Sequence, residues 1–181
     1  ETYNESISWK ETYPSDMFID FETINTDFMK KIDIHNTESE ILIFLIGVGY
    51  IQNEKWCYKS FVVKAATKKD ENKIMNEFLT FIKNIKKELD PNSKYPRRLF
   101  HWSQAEVSNL KQYNERNNGE LELWMENTQF VDMCKVFNDE KIVVNGSYTF
   151  GLKSVGNALF NLGFIKTKWP DSDISDGFNA L

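Results

Sequence analysis

The sequence predicts an α/β fold in which a mixed β-sheet begins with antiparallel strands, continues with parallel strands and is flanked by helices. Two observations support this fold class. Residues 41–51 and 55–63 form two strand-like segments separated only by "QNE", a length typical of a hairpin between antiparallel strands. Helical and strand-like segments then alternate, an order that places further strands side by side with helices packed on the sheet.

The N-terminal half contains the clearest elements. Residues 17–23 alternate between apolar and polar side chains, as a strand with two different faces does, whereas 41–51 are apolar almost throughout, as in a central strand. From 70 to 89, apolar residues recur at helical spacing; we expect Asp70 to cap the start of this helix, and Pro91 follows its end.

The C-terminal half is less regular. Residues 97–102, "RRLFHW", predict a strand, and a helix is expected over 104–117 before Asn-Asn-Gly. Short helices are predicted within "FVDMCKVF", 130–137, and "LKSVGNALFNLG", 152–163, where the second ends at a glycine. The segment 142–148 between them is interpreted as a loop or a short edge strand.

Length and composition limit the classes of protein to which the chain can belong. Its 181 residues predict one domain over 16–181, preceded by a lead or linker over 1–15. The net charge of −5 argues against coating nucleic acid by bulk attraction, although a locally basic groove is compatible with it. No apolar run reaches the length of a membrane span and no secretion signal is evident, so we expect no membrane partner and an intracellular, cytoplasmic protein.

The two cysteines, Cys57 and Cys134, lie far apart in apolar segments and lack the spacing of metal ligands. Two buried free thiols are therefore the favoured interpretation, which suits a reducing compartment.

Two carboxylates stand out in the first predicted strand. Because side chains two residues apart share a face of a strand, Asp20 and Glu22 project together while Ile19 and Phe21 point to the other face. Adjacent carboxylates repel each other unless a cation lies between them, and hard oxygen ligands suit Mg²⁺ or Mn²⁺. The pattern alone fits equally an edge strand whose polar face lies in water.

Further acids could join this pair. His101 stands at the end of a predicted strand and Glu106 in the first turn of the next helix, the position at which ligands gather in α/β sheets. Glu106 is thus a candidate third metal ligand, or an acid that complements the helix dipole. His101 is otherwise a buried strand-end histidine. Asp132, an acid among apolar residues, is a further candidate or a helix cap.

Six segments, taken in order, resemble the RNase H-like DEDD 3′–5′ exonuclease superfamily. They are "FIDFET", the "ILIFLIGVGY" strand, "HWSQAE", "VDMCKVF", "FGLKSVGNALFNLG" and "SDISDGFNA", which together cover the chain from about residue 17 to its end. The sequence looks closest to the branch of predicted ribonuclease-H-like domains that accompany RecB-type nucleases and helicases. The resemblance implies an RNase H-like sheet and hydrolysis of phosphodiester bonds in DNA or RNA with two Mg²⁺ or Mn²⁺ ions.

The resemblance also implies roles for individual residues. Asp20 and Glu22 match the first-motif metal ligands and Glu106 the second-motif acid, while Asp132 matches an acid that supports the catalytic site. Substrate contacts are expected from Thr23, the last residue of "FIDFET", and from His101 and Trp102, the "HW" pair. A further contact is expected from Lys153, the lysine of "FGLKSVG".

The sequence departs from the family pattern at its C-terminal end. The last motif, an Asp accompanied by a Tyr or His, should follow "DGFNA", whereas the sequence stops at Leu181. Asp171, Asp173 and Asp176 precede that element and fit a loop and helix start better than the final ligand. We therefore expect the last catalytic helix to be missing from this stretch of chain.

Substrate binding needs positive charge and stacking surface, and "KYPRR" supplies Arg97 and Arg98 just before the predicted strand that leads to Trp102. The alternative is a solvated basic loop beside a core tryptophan. The expected partners are DNA or RNA, in particular single-stranded 3′ ends, together with nuclease or helicase domains of a larger polypeptide. The rival functional class is a catalytically incomplete RNase H-like module that binds nucleic acid or a partner protein.

Overall fold

A computed structural model describes residues 9–25, 41–92 and 96–167. The expected lead is therefore described only from residue 9 onwards, and the "SDISDGFNA" segment lies outside the described residues. The chain divides into two compact units, Glu1–Val131 and Asp132–Leu181.

The first unit is built on a five-stranded mixed sheet with the order β3-β2-β1-β4-β5. Strand β1 is antiparallel to β2 and parallel to β4, and β2 is antiparallel to β3. This arrangement confirms the predicted mixed α/β fold and is consistent with an RNase H-like fold. The strands are β1 Met17–Asn25, β2 Ile41–Gln52, β3 Lys55–Val62, β4 Arg97–His101 and β5 Thr128–Asp132.

Strand β5 shows where the sequence prediction was wrong. The segment 130–137 was expected to be one short helix, but its first three residues, Phe130 to Asp132, complete a strand. The helix starts at Met133 instead. A five-residue strand next to a short helix leaves too few residues for either periodicity to be recognised.

Three helices belong to the first unit: α1 Lys68–Leu89, α2 Ala105–Arg116 and α3 Glu122–Glu126. Helix α1 starts two residues earlier than predicted, because Thr67 rather than Asp70 is the N-cap. The Thr67 hydroxyl accepts a hydrogen bond from the Asp70 N–H at 3.2 Å, and the Asp70 carboxylate accepts from the Ala65 N–H at 2.8 Å. The two side chains thus satisfy backbone donors on both sides of the helix start.

Helices α1 and α2 pack against one face of the sheet and form the main core with it. The apolar positions of α1 that repeat at helical spacing, Ile74, Phe78, Ile82 and Ile85, are all buried in this core. The strands contribute the inward-facing side chains, among them Met17, Ile19, Phe21, Ile46, Val48 and Leu99.

A buried carboxylate joins three of these elements. Glu71 in α1 is 1% exposed; it accepts a hydrogen bond from the Ile43 N–H of β2 at 2.8 Å and pairs with Arg116 of α2 at 2.6 Å. The Ile43 N–H lies beside a β-bulge, where the β1–β2 register shifts between Glu22 and Thr23. Glu71 thus satisfies a backbone donor next to the irregular part of the ladder.

The segment just before β1 is held by Arg98 of β4, which is 2% exposed. Its guanidinium donates to both carboxylate oxygens of Asp16, at 2.7 and 2.5 Å, and to the Glu11 carbonyl at 2.7 Å. The guanidinium also lies over the Tyr13 ring. A buried two-pronged ion pair of this kind fixes the entry of the chain into β1.

The second unit contains two described helices, α4 Met133–Asp139 and α5 Leu152–Asn161. Helix α5 confirms the prediction, and Gly163 with φ 78° follows its end in the left-handed conformation that favours glycine. The segment 142–148 is a loop and not an edge strand. Among the described residues, no helix is long and apolar enough to cross a membrane.

The prediction of buried thiols was wrong in one respect. Cys57 and Cys134 are both free, as expected, but each is half-buried. Cys57 lies on the edge strand β3, whose residues other than Phe61 are not buried, so the apolar sequence around it did not imply a core position.

Replacing Glu71 with Ala should lower the free energy of unfolding by about 3 kcal/mol, because Arg116 and the Ile43 N–H lose their buried acceptor. Urea denaturation followed by circular dichroism measures the change. The matched control is Glu77→Ala in the same helix, which removes an exposed pair with Lys73 and should change stability by less than about 0.5 kcal/mol. Equal effects of the two substitutions would contradict the structural role of Glu71.

Candidate functional site

The two carboxylates of β1 lie on the face opposite α1. Met17, Ile19 and Phe21 are buried under the helices, whereas Asp20 is exposed and Glu22 is half-buried. Strand β1 is the middle strand of the five, so the interpretation of it as an edge strand is wrong. Its polar face is nevertheless accessible to water, as that interpretation expected. The alternation therefore places two acids at the centre of the sheet.

The β-bulge follows directly after Glu22. On one side of it Glu22 pairs with Leu45, and on the other Thr23 pairs with Ile43, so Phe44 is the extra residue of β2. A bulge alters the direction in which the side chains beside it point, and bulges are over-represented next to active sites. Thr23, a candidate substrate-binding residue, is half-buried at this point.

Glu106 and His101 stand at the junction between β4 and α2. Both are buried, at 4% and 5% exposure, and Glu106 Oε2 lies 3.6 Å from His101 Nδ1. His101 Nδ1 is closer to the Ser103 carbonyl, at 2.6 Å. Because a carbonyl only accepts, Nδ1 carries the proton. Ser103 has φ 74°, a strained conformation for a residue with a side chain, and strain of this kind clusters at functional sites.

Asp20 and Glu106 influence each other electrostatically. Burial raises the pKa of Asp20, the negative charge of Glu106 raises that pKa further, and a hydrogen bond from the Phe21 backbone opposes the shift. The Asp20 side chain is thus in contact with water, but neighbouring protein atoms remove part of its hydration. A carboxylate whose ionisation is disfavoured by burial and by a second negative charge would be stabilised by a nearby cation.

Glu106 has a feature that fits a metal ligand. Its Oε2 atom is buried and makes no hydrogen bond to the described part of the chain. A buried carboxylate oxygen without a donor costs free energy that coordination to a hard cation would offset. The donor set of Asp20 and Glu106 thus fits Mg²⁺ or Mn²⁺ by the chemistry of its oxygen atoms.

The predicted set of three ligands is not assembled in the structure. Within residues 9–25, 41–92 and 96–167, no group of three or more His, Cys, Asp or Glu side chains is placed to hold a metal ion. The charge of Glu106 acts on Asp20, and Glu22 is on the same strand face as Asp20.

Two further candidates belong to the second unit. The Asp132 carboxylate accepts a hydrogen bond from the Lys135 N–H at 3.1 Å and caps helix α4, which is the alternative that the sequence left open. Lys153 lies in the first turn of α5 and is exposed. The geometry thus gives Asp132 a local structural role.

The arginines and Trp102 differ in their accessibility. Arg98 is enclosed by its ion pair with Asp16, so the expected phosphate contact at a solvent-facing rim does not fit it. Arg97 donates to the Thr128 hydroxyl at 3.1 Å and lies over the Trp124 ring, and burial lowers its pKa. Trp102 is half-buried.

Sequence reasoning did not single out Tyr58, whose pKa is raised by burial and then by the charge of Asp20. The signal that could have found it is the glycine pair of "GVG" in β2 followed in the next strand by the alternating rings of "WCY", because Gly49 pairs with Tyr58 across the two strands. Gly47, the β2 partner of Asp20, lies under the Tyr58 hydroxyl, because an added Cβ there would be 2.7 Å from it.

Comparison with known proteins adds no family assignment. No family model matches the chain, and no curated protein matches it either.

Replacing Glu106 with Gln should lower the pKa of Asp20 toward its ordinary value without reaching it, because the charge repulsion disappears while the burial remains. Carboxyl-carbon NMR titration in metal-free buffer measures this pKa. The control is Glu115→Gln, which removes an exposed acid from the same helix. An unchanged Asp20 pKa in Glu106→Gln would show that the two carboxylates are farther apart in solution.

Proposed function

We propose that the protein is a divalent-metal-dependent 3′–5′ exonuclease that hydrolyses phosphodiester bonds of DNA or RNA. The observation that carries this proposal is that the charge of Glu106 in α2 acts on Asp20 in β1, while the buried Oε2 atom of Glu106 makes no hydrogen bond to the described residues. The ordered motifs that resemble the DEDD superfamily supply the reaction class.

Asp20, Glu22 and Glu106 are the residues that would hold Mg²⁺ or Mn²⁺. The chemistry that such ions would supply when bound is activation of a water at neutral pH and stabilisation of the charge on the leaving oxygen. Asp20 occupies the central position, because it shares a strand face with Glu22 and an electrostatic interaction with Glu106. Asp20 would therefore be the acid that links the other two candidates in holding the metal.

His101 is proposed as a positioning residue. With its Nδ1 proton donated to the Ser103 carbonyl, the ring is held beside Glu106. The side chain of Glu106 is then restricted to a narrow range of orientations within the buried β4–α2 junction. The strained Ser103 backbone allows this junction to turn sharply between the histidine and the glutamate.

Other side chains would contact the substrate. Thr23, at the bulge, directly follows the candidate metal ligand Glu22. Trp102, after β4, directly follows the positioning residue His101. For Lys153 and Asp132, in the second unit, phosphate contact and support of the site are implied by the resemblance alone, and in the structure Asp132 caps helix α4. The natural substrates would be single-stranded 3′ ends, delivered in part by nuclease or helicase domains of a larger polypeptide.

A second candidate function has one observation in its favour. The described residues do not assemble three metal-ligating side chains, and this is what a catalytically incomplete RNase H-like module would show. Such a module would bind nucleic acid or a partner protein without hydrolysis. Hydrolysis of a labelled strand therefore separates the two functions.

With Mn²⁺ present, the protein should shorten single-stranded DNA or RNA carrying a 5′ label, producing a ladder from the 3′ end. Asp20→Asn, Glu22→Gln and Glu106→Gln should each reduce the rate about 100-fold or more, because each removes a ligand charge. Denaturing gel electrophoresis measures the products.

Glu126→Gln is a suitable control, because it removes an exposed acid of α3 and should leave the rate unchanged. An intact protein that produces no ladder from either nucleic acid would favour the incomplete module. Full activity in Asp20→Asn would exclude the proposed metal centre.

Metal binding can be measured without catalysis. Mn²⁺ should bind to the wild-type protein, detected by the loss of the free-ion electron paramagnetic resonance signal, and Glu106→Gln should weaken this binding about 10-fold or more. His101→Asn should weaken it less, because it removes a positioning contact and not a ligand. Equal Mn²⁺ affinity in wild type, Asp20→Asn and Glu106→Gln would contradict the site.

A further inference from the structure

Two Asn-Gly pairs occur in the sequence, Asn118–Gly119 in the first unit and Asn145–Gly146 in the second. Such a pair has its own chemistry, because the backbone nitrogen that follows an asparagine can attack the carbonyl carbon of the asparagine side chain. A glycine at the second position does not crowd this nitrogen and leaves the backbone free to rotate. The two pairs differ in how firmly hydrogen bonds hold their backbone.

The second pair forms the tip of a turn in the loop 142–148. The Ser147 N–H donates to the Val144 carbonyl at 3.0 Å, and Gly146 has φ 90°, the positive value that a type II turn requires there. Asn145 and Gly146 are both exposed. Within the part of the chain that the structure describes, the Gly146 N–H donates to no backbone acceptor. The nitrogen that would attack is therefore open to water.

The first pair is held more firmly. The Gly119 N–H donates to the Asn114 carbonyl at 2.9 Å, and the Leu121 N–H donates to the Asn114 side chain at 2.7 Å. Asn118 is exposed, as Asn145 is, so accessibility of the side chain does not separate the two pairs. Attack by the Gly119 nitrogen requires these hydrogen bonds to open first, and that opening costs free energy.

We infer that Asn145 is a site of spontaneous covalent modification, which converts it to aspartate and isoaspartate in the folded protein while Asn118 is protected. The Gly146 nitrogen loses its proton to solvent and forms a bond to Cγ of Asn145. The bond between Cγ and Nδ2 breaks, and the side-chain nitrogen leaves as ammonia after taking up a proton. The product of this step is a cyclic succinimide, and no atom is oxidised or reduced.

Water is the co-reactant of the second step. It adds to one of the two carbonyl carbons of the ring and breaks the bond from that carbon to the Gly146 nitrogen. Attack at Cγ gives aspartate, whereas attack at the main-chain carbonyl carbon gives isoaspartate, in which the chain continues through the side chain. Either product carries one more negative charge than asparagine. This inference does not depend on the proposed function.

The modification would change the second unit at a defined place. The new carboxylate would stand in the chain between Val144 and Ser147, two residues that line an apolar cavity. Isoaspartate would also add a backbone carbon inside the turn that the Ser147 N–H closes. Because the Ser147 hydroxyl is hydrogen-bonded to that of Ser154 in α5 at 2.8 Å, a longer turn would disturb the contact between the loop and this helix.

The test follows both asparagines in one sample. The full chain is incubated for days in mildly alkaline heavy-oxygen water, so that each ring opening inserts a heavy oxygen atom, and is then digested with trypsin in ordinary water. Asn145 lies in the tryptic peptide 142–153 and Asn118 in 117–135, and fragmentation in a mass spectrometer assigns the label to single residues. Label should accumulate at Asn145 about 10-fold faster or more than at Asn118, because the hydrogen bonds around Gly119 must open first.

Two controls connect this difference to the structure. In urea, the two asparagines should become labelled at similar rates, because the unfolded chain keeps neither the turn nor the hydrogen bonds around Gly119. Asn145→Gln should leave residue 145 unlabelled, because the longer side chain would have to close a larger ring. Ion-exchange chromatography should then show the slow appearance of an acidic species in the wild-type protein and much less of it in Asn145→Gln.

Two outcomes would overturn the inference. The first is label that accumulates equally at Asn145 and Asn118 in the folded protein, which would show that the hydrogen bonds do not select between the pairs. The second is an Asn145 that stays unlabelled in the folded protein but is labelled in urea, which would show that the turn protects it. Circular dichroism before and after incubation establishes that the labelled protein is folded.

Discussion

The buried carboxylate of Glu71 is the contact on which the arrangement of the first unit depends. It belongs to α1, accepts from the Ile43 N–H of β2 and pairs with Arg116 of α2, so one side chain joins two helices to the sheet. A lone buried charge would be costly, and here it is compensated by a cation and a backbone donor. Because α2 also carries Glu106, the same contact helps to determine where the second acid of the candidate site lies.

The candidate site combines an electrostatic cost with the means to offset it. The charge of Glu106 raises the pKa of Asp20, and Glu106 itself keeps a buried oxygen without a hydrogen-bond donor among the described residues. Neither feature stabilises the fold. Both would become favourable if a divalent cation joined the two carboxylates, as the proposed metal-dependent nuclease requires.

The two faces of the sheet differ in a way that suits this function. One face is closed by α1 and α2 and supplies the core that holds β1 and β4 side by side. The other face keeps Asp20 accessible and carries exposed rings seated on Gly47 and Gly49. The face packed against the helices makes the strands rigid, and the open face gives a ligand access to Asp20. A sheet of this kind can hold reactive groups in place without burying them.

Local patterns in the sequence were sufficient for the strands of the hairpin, for α1 and for the shared face of Asp20 and Glu22, because periodicity depends only on neighbouring residues. They misplaced the cap of α1, missed β5 and treated Arg98 as a solvent-facing base, since a cap, a short strand and a buried ion pair each depend on a partner. Arg98 meets Asp16 and Glu71 meets Arg116 across long stretches of chain. The sequence by itself thus determined which residue types alternate along each element. Only the tertiary structure decided which acids, bases and rings become neighbours, because those contacts are made across the sheet and between packed helices.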